Sequence, residues 1–487
     1  MNFFVLMMIL LSILSTVDAA TYYVDQTHDS ANDANAGTSE ALPWKTLHRA
    51  VDGISTRESG GSGGPYTPVV AGDTVYVKNG TYADIVPASD ITVSIKYNPV
   101  NTGTASAPIA LRAYTPSSGP RHRPLVTRLL SSNPETNPVF GSWGRSYIIW
   151  DGISSGTGAY VRFNDCQGCV LENSLIERGP GSGSGNYDGV WIENSVEVII
   201  RNNVVRNSYS IDNQSGNGSC IKLWNNQGVN IHHNDISRCQ TGIYNKSGGL
   251  SNIFEYNYIF EILGTQNNPG IRIVNTYDLP SSDNVVRYNV IVSAQRGIYA
   301  LDRLTRNLQI YNNTIYDVSA GVVADPAPSG SPSMRVYNNA IVRRDTTGSD
   351  QAHHVYNDWA HPDPDVPPDL LSNYSSFFGL SSAQARFAPY IGAGAIESLT
   401  QWQARGYDLT AIVADPLFVG PLTSPFPATV FKLQGGSPLV NAGRVGGVDG
   451  GAAVNIGAYP TGNETIGNGG IGSVYAPTCV GNCVIAK

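Results

Sequence analysis

One short pattern recurs through the middle of this 487-residue chain, a β-prone run ending in Asn-x-(Ile/Val/Leu). It reads LENSLI, IRNNVV, HHNDI, EYNYI, RYNVI, YNNTI and YNNAI, with asparagines at Asn173, Asn203, Asn234, Asn257, Asn289, Asn313 and Asn339. Successive asparagines lie 23 to 32 residues apart. A repeat of that length, built of short strands without helical periodicity, is the signature of a β-solenoid. Leucine-rich repeats have a similar period, but the leucine scaffold they need is absent. Equivalent positions of a solenoid stack at about 4.8 Å, so identical asparagines can form an amide ladder inside a turn. These asparagines therefore read as structural.

Composition agrees with an all-β, single-domain chain. Charged residues make up 14%, there are 52 glycines and 26 tyrosines, and helix-forming runs are scarce. Each asparagine motif is followed by a second stackable strand, as in GVWIEN, CIKLWN, GIYNKS, GIRIVN, GIYALD and GVVADP. Loops of variable length separate the strands, notably over 176–189 and 208–219, which we expect to wall one face.

Over roughly residues 21–460 the chain resembles the right-handed parallel β-helix proteins of the pectate-lyase superfamily. The entry TYYVDQTHDSANDANAGTSEALPWKTLHRAV and the closing segment DPLF…FKLQGGSPLVNAG…NIGAY carry that resemblance. It implies an amphipathic helix over about 44–54 that covers the N-terminal end of the coil. It implies little about chemistry.

Alternation along the second strands sets their direction. Ile221, Leu223, Ile243, Asn245, Ile271, Ile273, Ile298 and Ala300 fall on the inward face. The outward face then collects Trp191, Lys222, Tyr244, Arg272, Tyr299 and Val323 in one column, and Glu193, Trp224, Lys246, Val274, Leu301 and Asp325 in the next. Three cations on neighbouring coils repel one another unless an anion binds, and aromatic rings beside them suit the apolar face of a sugar.

Such a cluster supports β-elimination on a uronic-acid polysaccharide. A lysine crowded by cations has a lowered pKa and can act as a neutral base, while arginine stays charged and can clamp a carboxylate. The segment IYNKSGGLSNIFEYNYIFE, residues 243–261, is similar to the catalytic-lysine segment of polysaccharide lyase family six, the alginate lyases and chondroitinase B. The resemblance implies Lys246 as base and Arg272, one coil on, as the catalytic arginine. The two outward columns supply Lys222, Tyr244, Trp224, Trp191, Tyr299 and Glu193 as the neighbouring substrate-binding candidates. Two features depart from that family. Its calcium-holding acidic residues before the lysine are replaced by Cys239-Gln240-Thr241-Gly242, and Ile273-Val274 follows the arginine where His-Gly is common. We therefore expect no metal or other cofactor, with Lys222 neutralising the substrate carboxylate instead.

Three other readings use the same face or its neighbours. A glycoside hydrolase would need paired carboxyls, for which Asp188, Glu193, Asp212, Asp278 and Asp302 are at hand. A C5-epimerase of the alginate type would carry Asp-Pro-His-Glu, which does not occur, and HPDPD at 361–365 is only superficially similar. A glycan-binding or adhesin solenoid would use the aromatics and cations without chemistry. His353, His354, Asp358 and His361 could hold a metal but lie scattered through a proline-rich loop.

The remaining features bound the setting. MNFFVLMMILLSILSTVDAA has the short apolar stretch and small-residue end of a signal peptide over 1–19, although its start lacks Lys and Arg. A secreted or periplasmic monomer with no membrane span follows. A net charge of −8 gives no reason to expect a nucleic-acid partner, so the expected partner is an acidic polysaccharide held by a local cationic cluster. Six cysteines fall as Cys166/Cys169, Cys220/Cys239 and Cys479/Cys483, which permits disulfides in an exported chain. Zinc at Cys166 and Cys169 would need a second ligand pair that is not nearby. Residues 461–487 read as a glycine-rich tail or short cap.

Overall fold

In the computed structural model, residues 19–54, 64–84, 95–128, 138–156, 158–179, 181, 186–210, 218–263, 268–274, 279, 281–301, 305–325, 334–344, 354–356, 370–379, 387–388, 397–420 and 427–468 are described. The proposed signal segment, the Cys479/Cys483 pair, Asp212, Asp278, Asp302 and the side chains of the 353–361 loop lie outside them, as do parts of both proposed wall loops.

The chain winds through three long parallel sheets of twelve, eleven and ten strands, and in each sheet the strands follow one another in chain order. One coil contributes a strand to each sheet, as Asn230–His232, Asp235–Ser237 and Thr241–Asn245 do in succession. Parallel stacking buries the coil interior completely. Leu171, Ile200, Ile231, Phe254, Val286 and Ile310 fill it from the first sheet, and Ile221, Ile243, Ile271 and Ile298 from the third.

The corner between the first and second sheets is held by the expected amide ladder. Asn203 Nδ2 donates to Asn234 Oδ1 at 3.1 Å, and the same contact repeats at 3.0 Å from Asn234 to Asn257, Asn257 to Asn289, Asn289 to Asn313 and Asn313 to Asn339. Each of these oxygens also accepts the backbone N–H of the preceding coil's asparagine, so the amides satisfy the backbone of a turn that no water reaches.

Asn173 does not belong to that ladder. The equivalent position is Ser174, whose N–H donates to Asn203 Oδ1 at 3.0 Å. Asn173 instead takes the left-handed conformation, at φ 55°, that precedes the ladder in each coil, and bonds Asp151. His233, Tyr256 and Tyr288 hold the same conformation, which asparagine tolerates best. A motif that begins with two small polar residues can be read one position out.

The helix expected over 44–54 is confined to Leu47–Val51. Thr46 caps it by accepting from Arg49 N, and Leu47, Ala50 and Val51 join the core. Beyond the last coils, the chain returns along the outside of the second sheet. There Phe418, Val430, Phe431, Tyr459 and Ile466 pack on Tyr258, Val292 and Tyr316. Asn312 and Asn338, the left-handed residues of two successive late coils, donate to Asn455 O and Arg444 O at 2.9 and 2.8 Å and pin this segment. Residues 461–468 continue it, with Gly467 N on Tyr256 O. Among the described residues no helix is long and apolar enough to cross a membrane.

Candidate functional site

The third sheet presents its outward face through the strands Pro138–Trp143, Tyr160–Asn164, Val190–Glu193, Ser219–Trp224, Thr241–Asn245, Pro269–Val274 and Arg296–Leu301. Their register aligns Trp191 with Lys222, Lys222 with Tyr244, Tyr244 with Arg272 and Arg272 with Tyr299, so the column expected from alternation is the one observed. Glu193 aligns with Trp224 in the neighbouring column. Lys246 follows the inward Asn245 and extends the ladder by one bond, its N–H donating to Leu223 O at 3.0 Å. Its half-buried side chain rests with the ammonium 5.4 Å from the Trp224 ring.

Cations and rings interleave along the column. The Arg272 guanidinium lies 4.7 Å from the Tyr244 ring and 5.6 Å from Tyr299. Lys222 lies 5.4 Å from Trp191. Lys222 is not a surface cation, being only 1% exposed. Its ammonium donates to Asn186 Oδ1 at 2.8 Å and to Asp188 Oδ2 at 3.3 Å, while Asp188 Oδ1 accepts from both N and Oγ of Ser219. Asp188 is thereby spoken for as a buried counterion rather than standing free as half of a carboxyl pair.

Burial pushes the Lys246 ammonium below its usual pKa and the charge of Lys222 pushes the same way; Asp188 pulls against them, and Arg272 adds the smallest downward push. The direction is that of a lysine prepared to lose its proton.

Two participants went unnoticed in the sequence. Arg162 occupies the same column one coil before Trp191, salt-bridged to Glu193 at 2.5 Å and set 4.9 and 4.6 Å from the rings of Trp143 and Trp191. Its strand, YVRFN, shares the alternation of VWIE but lies before the first asparagine motif, where a search keyed on asparagine does not look. Arg296, buried at a strand start, brings its guanidinium to 4.5 Å from Tyr299.

A disulfide between Cys220 and Cys239 joins the coil of Lys222 to the segment leading into Tyr244. Closing a 19-residue separation contributes about 3 kcal/mol on a chain-entropy argument. Cys166 and Cys169 are buried thiols of the core. Calcium does not fit before Lys246: Cys239 is in the disulfide, and Gln240 Oε1 accepts from Gly218 N. No group of three or more metal-ligating side chains occurs among the described residues.

Residues 148–341 match a family model described as a right handed beta helix region. No curated protein sequence matches the chain. Among solved structures it is similar to pectate lyase Pel9A, at 14% identity over 90% of this chain and 96% of that one, with a TM-score of 0.52. A rhamnogalacturonan lyase follows at 15% identity, covering 69% and 84%, with a TM-score of 0.38. An alginate lyase from Paenibacillus sp. str. FPU-7 shows 17% identity over 53% and 87%, with a TM-score of 0.37. Identities this low speak to fold alone. With the family match and the Pel9A likeness, the chain is a right-handed parallel β-helix.

Proposed function

We propose that this right-handed parallel β-helix protein is an exported polysaccharide lyase that cleaves a uronic-acid-containing polysaccharide by β-elimination. One observation carries the reading. Lys246 is half-buried on the outward face, with burial, Lys222 and Arg272 all depressing its pKa. A neutral amine beside a fixed guanidinium is the pairing that abstraction of a proton next to a carboxylate requires.

In the proposed reaction Arg272 pairs with the uronate carboxylate and stabilises the negative charge that grows there. Lys246 takes the C5 proton, the C4–C5 double bond forms, and the bond from C4 to the glycosidic oxygen breaks. The departing oxygen takes a proton from water, the Lys246 ammonium gives its proton back to the hydroxide so formed, and the new end carries an unsaturated uronyl group. Tyr244, Tyr299, Trp224, Trp191 and Glu193 line the approach. Lys222 acts through charge, by holding Lys246 neutral, rather than by touching the carboxylate, because its ammonium is committed to Asp188 and Asn186. No metal takes part in this scheme, since the residues before Lys246 offer no carboxylate ligands. The protein acts as a monomer outside the cytoplasm.

The test is the ultraviolet absorbance of unsaturated uronyl ends when purified protein meets uronate polymers, with and without chelator, beside Lys246→Ala. The reading expects absorbance from the wild type, chelator-insensitive, and none from the variant. Absorbance that survives in Lys246→Ala would remove the lysine from the chemistry. New reducing ends without absorbance would transfer the reaction to hydrolysis.

A further inference from the structure

The first strand of the coil begins beside a carboxylate that lacks a countercharge. Asp73, 1% exposed, stands immediately ahead of the strand Thr74–Val77, whose Thr74 aligns with Thr21 of the opening strand Thr21–Val24. Its Oδ2 accepts from Val70 N and its Oδ1 from Ala20 N, both at 2.9 Å, and Ala20 O accepts from Thr74 N at 2.9 Å. Both donors to the carboxylate are neutral amides. Among the described residues no Lys, Arg or His forms an ion pair with Asp73. Arg49, on the helix Leu47–Val51, is committed elsewhere, with Nε donating to Asp33 O, Nη1 to Thr67 O and the guanidinium over the rings of Trp44 and Tyr66. A carboxylate taken out of water is costly unless a cation matches it.

Ala20 is also where a leader would be removed. Val17 and Ala19 place small uncharged residues at the third and first positions before the Ala19–Ala20 bond, as a signal peptidase requires, whereas a cut one residue later would set Asp18 at the third. Ala19 is exposed and Ala20 half-buried, so the chain leaves the fold between them.

Resting on the export part of the reading above, we infer that a signal peptidase cuts between Ala19 and Ala20 and that the new α-ammonium of Ala20 pairs with Asp73, fastening the first strand to the coil. The step is a hydrolysis. Water adds across the bond, the Ala19 carbonyl becomes a carboxylate, and the Ala20 nitrogen leaves as an amine that is protonated at neutral pH. That nitrogen keeps its place, 2.9 Å from Asp73 Oδ1, and gains the charge the carboxylate lacks. The strand it heads is the edge of the twelve-stranded sheet, so the processed chain holds its edge more firmly than the precursor does. A carboxylate that merely closed the turn from Val70 would be indifferent to charge at Ala20, and this separates the two roles.

The full chain is expressed in an exporting bacterial host and the protein outside the cytoplasm is weighed intact. The expected first residue is Ala20. A cut at another bond would overturn the inference and leave export standing, while an uncut, cell-retained chain would bring down both; neither result touches the test for unsaturated uronyl ends. The chain beginning at Ala20 is then compared in urea with one that retains an acetylated Ala19. We expect the free amine to favour the folded state by about fivefold or more, and the difference to fall within about twofold in Asp73→Asn. Equal stability of the two forms with Asp73 present would overturn the ion pair. Should Asp73→Asn not fold, the wild-type α-amine decides: its acylation at neutral pH should be at least about tenfold slower in the folded than in the urea-unfolded chain, and equal rates would show that it is not held.

Discussion

Two columns of side chains run along this coil, and they obey opposite rules. At the corner between the first and second sheets, Asn203, Asn234, Asn257, Asn289, Asn313 and Asn339 repeat one residue, fully buried, each amide bonded to the next. On the outside of the third sheet, Arg162, Trp191, Lys222, Tyr244, Arg272 and Tyr299 change chemistry at every step. Stacking favours identical partners, because like amides complete each other's hydrogen bonds. A column that forgoes this and gathers cations within a few coils sets like charges near one another, where they repel. Its arrangement makes sense against a ligand.

The comparison can be broken in order of size. Lys246→Ala should cost about a thousandfold or more in elimination rate, the range of a lost general base, with little change in thermal midpoint because the side chain is only half-buried. A large loss of stability instead would make Lys246 a structural residue. Asp188→Asn should then cost roughly 3–5 kcal/mol in urea unfolding, because it leaves the Lys222 ammonium buried and unmatched. The double variant Asp188→Leu/Lys222→Met should be less destabilised than that single change. If it is worse, the pair contributes through packing rather than charge.

In the other column, Asn257→Ala removes donors to Ile231 O and Asn289 Oδ1 and the acceptor for Asn234, and should cost about 1–3 kcal/mol. Asn173→Ala, outside the ladder, should cost less than about 1 kcal/mol by the same unfolding measurement. Equal losses would mean that the ladder is not the stabilising element.

The smallest effect is in the pH profile. Elimination needs neutral Lys246, so kcat should rise as pH rises through that pKa, below the ordinary lysine value. Arg272→Gln removes a cation that lowers it, so the rising limb in the residual activity should move to higher pH. Asp188→Asn removes a carboxylate that raises it and should move the limb down. Shifts in the same direction would show that Lys246 is not the group titrating.

The fold was legible in the asparagine period because a solenoid repeats its backbone requirements at each coil. The outward column was legible too, since strand parity leaves only two directions. The Asn173 offset escaped because Ser174 can fill the ladder position. Arg162 escaped because its coil lacks the marker residue. The pairing of Lys222 with Asp188 and Asn186 depends on how a neighbouring coil brings residues 186–188 over the sheet, and periodicity says nothing about that. The clasp of the C-terminal segment by Asn312 and Asn338 joins residues more than a hundred positions apart, beyond the reach of any local pattern.

The most direct test of the central claim is to digest a uronic-acid-containing polysaccharide in water labelled with heavy oxygen and weigh the released oligosaccharides. β-Elimination breaks the bond without adding water, so the account predicts unlabelled products, each pair accompanied by one unsaturated end that Lys246→Ala does not generate. Products carrying solvent oxygen at the cleaved bond would contradict it, and would assign the outward column to hydrolysis.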